Sequence, residues 1–381
     1  RSTLFPYTTL FRSPAGNEGY AKIIVVGVGG GGCNAVDRMI QDKVEGVSFI
    51  SINTDKQVLD RSLADTKLQI GAKLTKGLGA GGNPEIGEQS AVESIEDIGK
   101  YIDGADMIFI TAGMGGGTGT GAAPVIAKVA QDKGILTVGV VSKPFAFEGK
   151  RRAAHADKGI KYLRRYVDSI VVVPNEKILQ IADESTTMRE AFQLADGILK
   201  QGVEGITDII RNPGFINRDF ADVEQVMRNK GTAHMGIGTG KGENMIDEAV
   251  ETAISSPLLE TTVAGAGTIL INVSGGYNIG LLEVNKAVSR IEEIAGEDAM
   301  IYFGTNFRED MEDEIVITLI ATGFDEEKED QYVVPDALKE EKSESEESEK
   351  GENNRQTLSD VLKDLDEGVT PSEFEVPKFL K

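Results

Sequence analysis

The sequence predicts an α/β protein: a Rossmann-like, mostly parallel sheet, a long central helix, a smaller α+β unit and a disordered acidic tail. Three observations carry this. First, short runs rich in Val and Ile alternate with amphipathic stretches as far as "DSIVVVPNE", Asp168 to Glu176, the pattern of parallel strands covered on both faces. Second, "TTMREAFQLADGILKQGVEGITDIIRN" sets Phe192, Ile198, Val203, Ile206 and Ile209 at helical spacing until Pro213-Gly214 stops it. Third, residues 325–381 carry 19 acidic and 8 basic residues, half the net charge of the whole chain, and cannot bury a core.

The elements follow in order. "KIIVVGVGG" is a buried strand feeding a glycine turn, and "NAVDRMIQDKV" is a helix. "VSFISINTD" and "GADMIFITAG" are the next strands. The helix "AAPVIAKVAQDKG" leads to "ILTVGVVSKP", and the series ends with "DSIVVVPNE". After the long helix come four strands, "TAHMGIGTG", "GTILINVSGG", "AMIYFGTNF" and "EIVITLIATGF". The helices "GENMIDEAVETAISS" and "GLLEVNKAVSRIEEIAG" lie among them.

Composition narrows the function. The chain has 381 residues and a formal net charge of −22, which disfavours binding nucleic acid through phosphates or adsorbing to an anionic membrane. A single cysteine, Cys33, excludes an intrachain disulfide and fits a reducing, cytoplasmic setting. With two histidines, His155 and His234, soft ligands are too few for a usual zinc site, so no protein-held metal is expected. No apolar run approaches the roughly 20 residues of a membrane span. "RSTLFPYTTLFRS", residues 1–13, reads as a translated sequencing adapter and is left out of the fold.

Two glycine loops carry the chemistry. "GVGGGGCN", Gly27 to Asn34, follows a strand, opens a helix and precedes a strand ending at Asp55. It satisfies G-x-G-x-x-G, whose backbone N–H groups and helix N-terminus hold pyrophosphate. "GGGTGTG", Gly115 to Gly121, packs five glycines into seven residues at another strand-to-helix junction. Both junctions lie at carboxyl ends of strands, hence on one rim, where they can wrap one polyphosphate, with Thr118 and Thr120 adding hydroxyls. The chain has no G-x-x-x-x-G-K-[ST], so this is not a P-loop. Cys33 stands at a helix N-terminus, where a thiolate is favoured, although a small packed residue is the plainer reading. Asp196, by position alone, reads as part of a solvated helix face. Asp219 and Asp222, three apart in "NRDFADV", could share a cation or orient water, but a helix N-cap explains them as well.

"GGGTGTG", together with "GVGGGGCNAV", "TKGLGAGGNPEIG", "KPFAFEGKRR", "NRDFADV" and "AISSPLLE", resembles the bacterial cell-division GTPases of the tubulin/FtsZ family, over about Ala21 to Phe324. The resemblance implies a nucleotide site. Gly30, Gly31, Gly32, Cys33 and Asn34 would meet the α/β-phosphates, and Gly117, Thr118 and Gly119 the β/γ-phosphates. Gly81, in the loop Gly79 to Pro84, would close over the γ-phosphate. Glu148 and Arg152 would bind the ribose and its nearest phosphate. Asn175 and Asp196 would read guanine, with Phe192 stacked on it. The ligands implied are GTP, GDP and Mg²⁺. Asn217, Asp219 and Asp222 would act on the nucleotide of the next subunit in a head-to-tail polymer at the mid-cell ring. Arg218 stands where the family more often has an aliphatic residue, which bears on the packing of that loop rather than on its carboxylates.

The boundaries expected are a GTP-binding domain over 14–185, the central helix and aspartate loop over 186–222, and a C-terminal α+β domain over 223–324. An acidic linker over 325–371 would carry a peptide over 372–381 that binds membrane-tethering and regulatory division proteins. The amphipathic segment "TLSDVLKDLDEG" reads as a transient helix. Two alternatives stay open: an NAD-dependent oxidoreductase on the first glycine loop, and a nucleotide-binding relative that assembles without hydrolysis.

Overall fold

The computed structural model describes residues 21–180, 183, 185–211, 220–256, 263–276, 279–296, 298–307, 311 and 314–324. The expectations for residues 1–13, the linker, the C-terminal peptide, Asn217 and Asp219 lie outside the described residues. The described residues all belong to one compact unit.

The chain runs β1 (Ile23–Val28), α1 (Gly29–Gln41), β2 (Ser48–Asn53), α2 (Lys56–Arg61), β3 (Thr66–Gln69) and α3 (Ala72–Thr75). It continues through α4 (Pro84–Glu93), α5 (Ile95–Tyr101), β4 (Met107–Gly113), α6 (Thr118–Asp132), β5 (Leu136–Lys143), α7 (Lys150–Leu163) and β6 (Ser169–Pro174). The central helix α8 (Met188–Arg211) and the short α9 (Phe220–Met227) follow. The last elements are β7 (Gly231–Lys241), α10 (Met245–Ile254), β8 (Thr268–Gly275), α11 (Leu281–Ala295), β9 (Met300–Phe307) and β10 (Glu314–Thr322).

Strands β1 to β6 are all parallel and stand in the order β3-β2-β1-β4-β5-β6, the doubly wound arrangement that reverses between β1 and β4. The residue pattern explains why helices cover both faces. Along β1, Ile23 and Val25 join a core with Val36 and Met39 of α1 and the inner side of α8. Ile24, Val26 and Val28 join another with Ala122 and Ile126 of α6. Each strand therefore reads as an unbroken apolar run rather than an alternation. β4 divides in the same way, with Phe109 on the first face and Ile108 and Ile110 on the second. Fully burying such a side chain contributes roughly 1.5–3 kcal/mol.

β7 joins the two sets of strands. Gly231 to Ala233 pair in parallel with β6, and His234 to Lys241 pair antiparallel with β10, which continues to β8 and β9. α10 and α11 cover one face of this second set through Ile246, Val250 and Ile291. α8 covers part of the other, with Leu270 and Ile320 in its core. Two glycines let α8 lie close to both sets of strands: a Cβ on Gly202 would stand 2.9 Å from Val140 Cγ1 on β5, and one on Gly205 2.8 Å from Thr318 Cγ2 on β10. His234 is buried with its ring edge-on to Phe324 at 4.6 Å, a packing role.

Candidate nucleotide site

β1 and β4 are neighbours, so the two glycine loops that follow them share one crevice at the carboxyl rim. They touch: Gly29 has φ 72°, and a Cβ on it would stand 2.7 Å from the Gly119 nitrogen. α1 and α6 both begin here, and neither has a side-chain N-cap. Uncapped first-turn N–H groups and two positive helix ends therefore face the same space, which is what an anion needs. Gly30 and Gly116 have nothing within 4 Å of an added Cβ, so open room lies above both loops.

The five glycines of "GGGTGTG" divide by role. Only Gly116 faces open space. A Cβ on Gly117 would crowd Ala80 Cβ at 2.8 Å and the Asn83 nitrogen at 2.9 Å. One on Gly121 would run into the Pro84 carbonyl and stand 2.6 Å from the Glu88 nitrogen. Most of the run is glycine because protein atoms crowd it from several sides: Arg152 of α7 at Gly115, Ala80 and Asn83 at Gly117, the Gly113 and Val28 carbonyls at Gly119, and α4 at Gly121. Both threonine hydroxyls also have protein partners. Thr120 Oγ1 accepts the Gly115 N–H at 2.8 Å, and the Thr118 hydroxyl pairs with that of Thr54 at 2.7 Å. Both are buried and shape the loop from beneath.

Gly79 to Pro84 borders the cradle. Asn83 caps α4 by accepting the Glu85 N–H at 3.0 Å, while Gly81 and Gly82 hold positive φ with open space around them. Asp55 accepts the Gln57 N–H at 2.8 Å as the N-cap of α2, so the acid that a dinucleotide fingerprint reserves for ribose has a structural task here. Cys33 points inward, with Sγ 3.8 Å from the carbonyls of Gly27 and Ile52. Burial pushes its thiol up to about 12, so the thiolate reading fails and only its backbone can face a ligand. Asn34 is exposed.

The other end of the crevice is built from β5, β6 and α8. Glu148 Oε1 accepts the Phe145 N–H at 2.9 Å, and Oε2 pairs with Arg152 Nε at 3.0 Å. Phe192 is 38% exposed and meets Phe145 edge-on at 5.4 Å; Phe145 in turn stacks on Phe147 at 4.9 Å. Asn175 is 5% exposed and its Oδ1 has no hydrogen-bond partner, a costly state unless something supplies a donor. Asp196 is not a solvated residue. Burial pushes its carboxyl up to about 7, against the pull of Arg38 on α1. Sequence reasoning missed Phe145, Phe147, Arg38 and Thr54. "FAF" in "KPFAFEGKRR" was the one available signal, two aromatics beside the assigned glutamate.

Asp222 lies elsewhere. It is half-buried in the first turn of α9, whose carboxyl end is fixed to Ser169, the first residue of β6. α9 is therefore at the amino rim of the sheet, opposite the glycine loops. α8, with 24 residues and about 35 Å of length, runs from Phe192 and Asp196 toward that end.

Two family models match the chain. Residues 22–183 match the GTPase domain of the Tubulin/FtsZ family, and residues 231–325 the FtsZ family C-terminal domain. The chain belongs to the tubulin/FtsZ family. Among solved structures, it is similar to the empty FtsZ dimer of M. jannaschii at 44% identity and a TM-score of 0.77, over 81% of this chain and 89% of that one. CetZ1 from Haloferax volcanii, a GDP-bound monomer, shares the fold at 21% identity and a TM-score of 0.69, over 79% of this chain and 94% of that one. M. jannaschii is an archaeon, so the likeness to FtsZ does not single out a bacterial source. The GTPase-domain match spans β1 to β6 and with them both glycine loops, so the chain carries a GTPase domain, which implies GTP/GDP binding.

Proposed function

We propose that this chain is a GTPase that polymerises head to tail and hydrolyses GTP where the aspartate loop of one copy meets the nucleotide of the next. One observation carries the reading: the nucleotide cradle and Asp222 sit on opposite rims of one sheet. Joining copies cradle to α9 is a heterologous contact that need not close, and it yields filaments. The M. jannaschii relative was solved as a dimer, which supports self-association.

In this reading Gly30, Gly31, Gly32, Cys33 and Asn34 offer backbone N–H groups to the inner phosphates, and Gly117, Thr118 and Gly119 to the outer ones. Gly81 lies over the γ-phosphate. Mg²⁺ would accompany the nucleotide and offset the charge of its phosphates. Glu148 and Arg152 take the ribose end, and Phe192 stacks on the base. Asn175 supplies its unpaired acceptor, and the Asp196 carboxylate accepts from guanine N1–H and the 2-amino group. Adenine would present an acceptor there. Asn217, Asp219 and Asp222 complete the site from the neighbouring copy. The family places such filaments at the cytoplasmic division ring, tethered through residues 372–381. The described residues contain no helix long and apolar enough to cross a membrane.

Two expectations test the base end. Ionised Asp196 accepts two guanine donors and protonated Asp196 cannot, so GTP affinity falls as pH drops through about 7 and levels off above it. The slope approaches about tenfold per pH unit on the acid side. Isothermal titration across about pH 5.5–8.5 checks this, and a flat affinity, or the same slope in Asp196→Asn, contradicts it. Asn175→Ala removes a buried acceptor that only a ligand satisfies. It should weaken GTP by about 10-fold or more while leaving the melting temperature of the nucleotide-free protein unchanged or raised. A loss of stability without loss of affinity would count against the assignment. For the function as a whole, GTP with Mg²⁺ should produce light scattering and phosphate release together, whereas release without scattering would contradict it.

A further inference from the structure

Helix α9 is held by side chains from outside it. The last carbonyls of a helix lack intrahelical donors. Here the Val226 carbonyl accepts the hydroxyl of Thr322 on β10 at 2.9 Å, and the Met227 carbonyl accepts the hydroxyl of Ser169 on β6 at 2.5 Å. Asp168 holds the turn that follows. One carboxylate oxygen accepts the Asn229 N–H at 3.2 Å and the other the Thr137 N–H at 2.9 Å. Its carbonyl accepts the N–H groups of Lys230 and Gly231 at 2.8 and 3.0 Å. Arg228 pairs with Glu224 one turn back at 2.6 Å and stands 3.9 Å from Asp168. Ser169 and Thr322 are fully buried, and Val223, Val226 and Met227 seal the inner face of α9.

A glycine after the last turn would end a helix with far less. This anchorage fixes direction. Asp222 lies five residues before Met227, about 8 Å along the axis. Tilting α9 by about 10° about its anchored end would move that carboxylate by more than about 1 Å, a displacement that can cost on the order of 100-fold in rate. We propose that Asp168, Ser169 and Thr322 are positioning residues for hydrolysis in the adjoining copy, setting the angle at which α9 delivers Asp222. This rests on the head-to-tail reading above. It adds that the donated end of the molecule is aimed by the first residue of β6, the last residue of β10 and the residue before β6.

The test uses the full chain. Thr322→Val removes the hydroxyl at nearly constant volume, Thr322→Ser keeps it, and Asp168→Asn replaces one accepting oxygen with a donor. For Thr322→Val and Asp168→Asn, GTP affinity and pelleted polymer should be unchanged, while phosphate release per polymerised subunit falls about 10-fold. Thr322→Ser should restore the rate. Mixed with unaltered chain, both defective variants should slow the whole mixture in proportion to their share, because the defect is passed to the next subunit. An unchanged rate per polymerised subunit overturns the inference. So does a fall that tracks lost GTP affinity or lost thermal stability and that Thr322→Ser does not rescue. If Asp168→Asn does not fold, the Thr322 pair decides alone. Asp222→Ala in the same mixtures separates the two levels. If it does not slow the unaltered chain, the head-to-tail reading fails; if it does and the anchor variants do not, only this inference fails.

Discussion

Asp222→Ala lowers GTP turnover by about 10²–10⁴-fold, the range for removing a group that orients or deprotonates an attacking water. GTP affinity stays within about 2-fold, a split that assigns the loss to the transition state rather than to ground-state binding. The side chain lies at the amino rim, across the sheet from the cradle, so its own nucleotide does not feel the change. Polymers of the variant should be long-lived, since the GTP that holds them is not consumed. Nucleotide binding by fluorescence titration, with phosphate release on pelleted polymer, checks the split. A parallel loss of affinity would place Asp222 in its own subunit's site and break the account.

The second large effect is structural. Gly121→Ala drives a methyl into the Pro84 carbonyl and to within 2.6 Å of the Glu88 nitrogen, both backbone atoms of α4 that cannot rotate away. Forcing α4 from α6 costs about 3 kcal/mol or more, at the upper end for overpacked sites. That corresponds to a fall of roughly 5 °C in melting temperature for a unit of about 300 residues. Gly116→Ala is the contrast, with nothing within 4 Å and no positive φ. Its stability should stay within about 0.5 kcal/mol of the parent, while the methyl enters the phosphate space and weakens GTP. Thermal unfolding without nucleotide, followed by titration, separates the two variants. Equal behaviour would mean that the division of roles among these glycines is wrong.

What the sequence showed and what it hid follow from one cause. Strands buried on both faces announce themselves as Val and Ile runs, and α8 as a stripe of large apolar residues, so the central helix and every strand but the short, half-polar β3 were legible. α4 and α7 were not read. The buried positions of α4 are Gly87, Ser90 and Ala91, and those of α7 are Ala156 and Gly159, with Ile160 and Leu163 only in its last turn. Small residues that permit close backbone approach leave no hydrophobic signal. The site divides in the same way. Two glycine loops on one rim could be inferred from topology alone. That the threonines bond within the protein, and that most of the glycines are crowded by protein atoms, depends on neighbours brought in by the fold. Asp196 looked solvated because one sequence does not show that α1 comes over it with Arg38. Asn175, an ordinary residue at a strand end, is informative only because its buried oxygen lacks a donor.

The central claim is that the hydrolytic site exists only between two copies, and phosphate release per subunit against protein concentration tests it most directly. The account predicts almost no turnover below a threshold concentration and a steep rise above it, with light scattering appearing at the same threshold. A rate per subunit that does not change with concentration would contradict it.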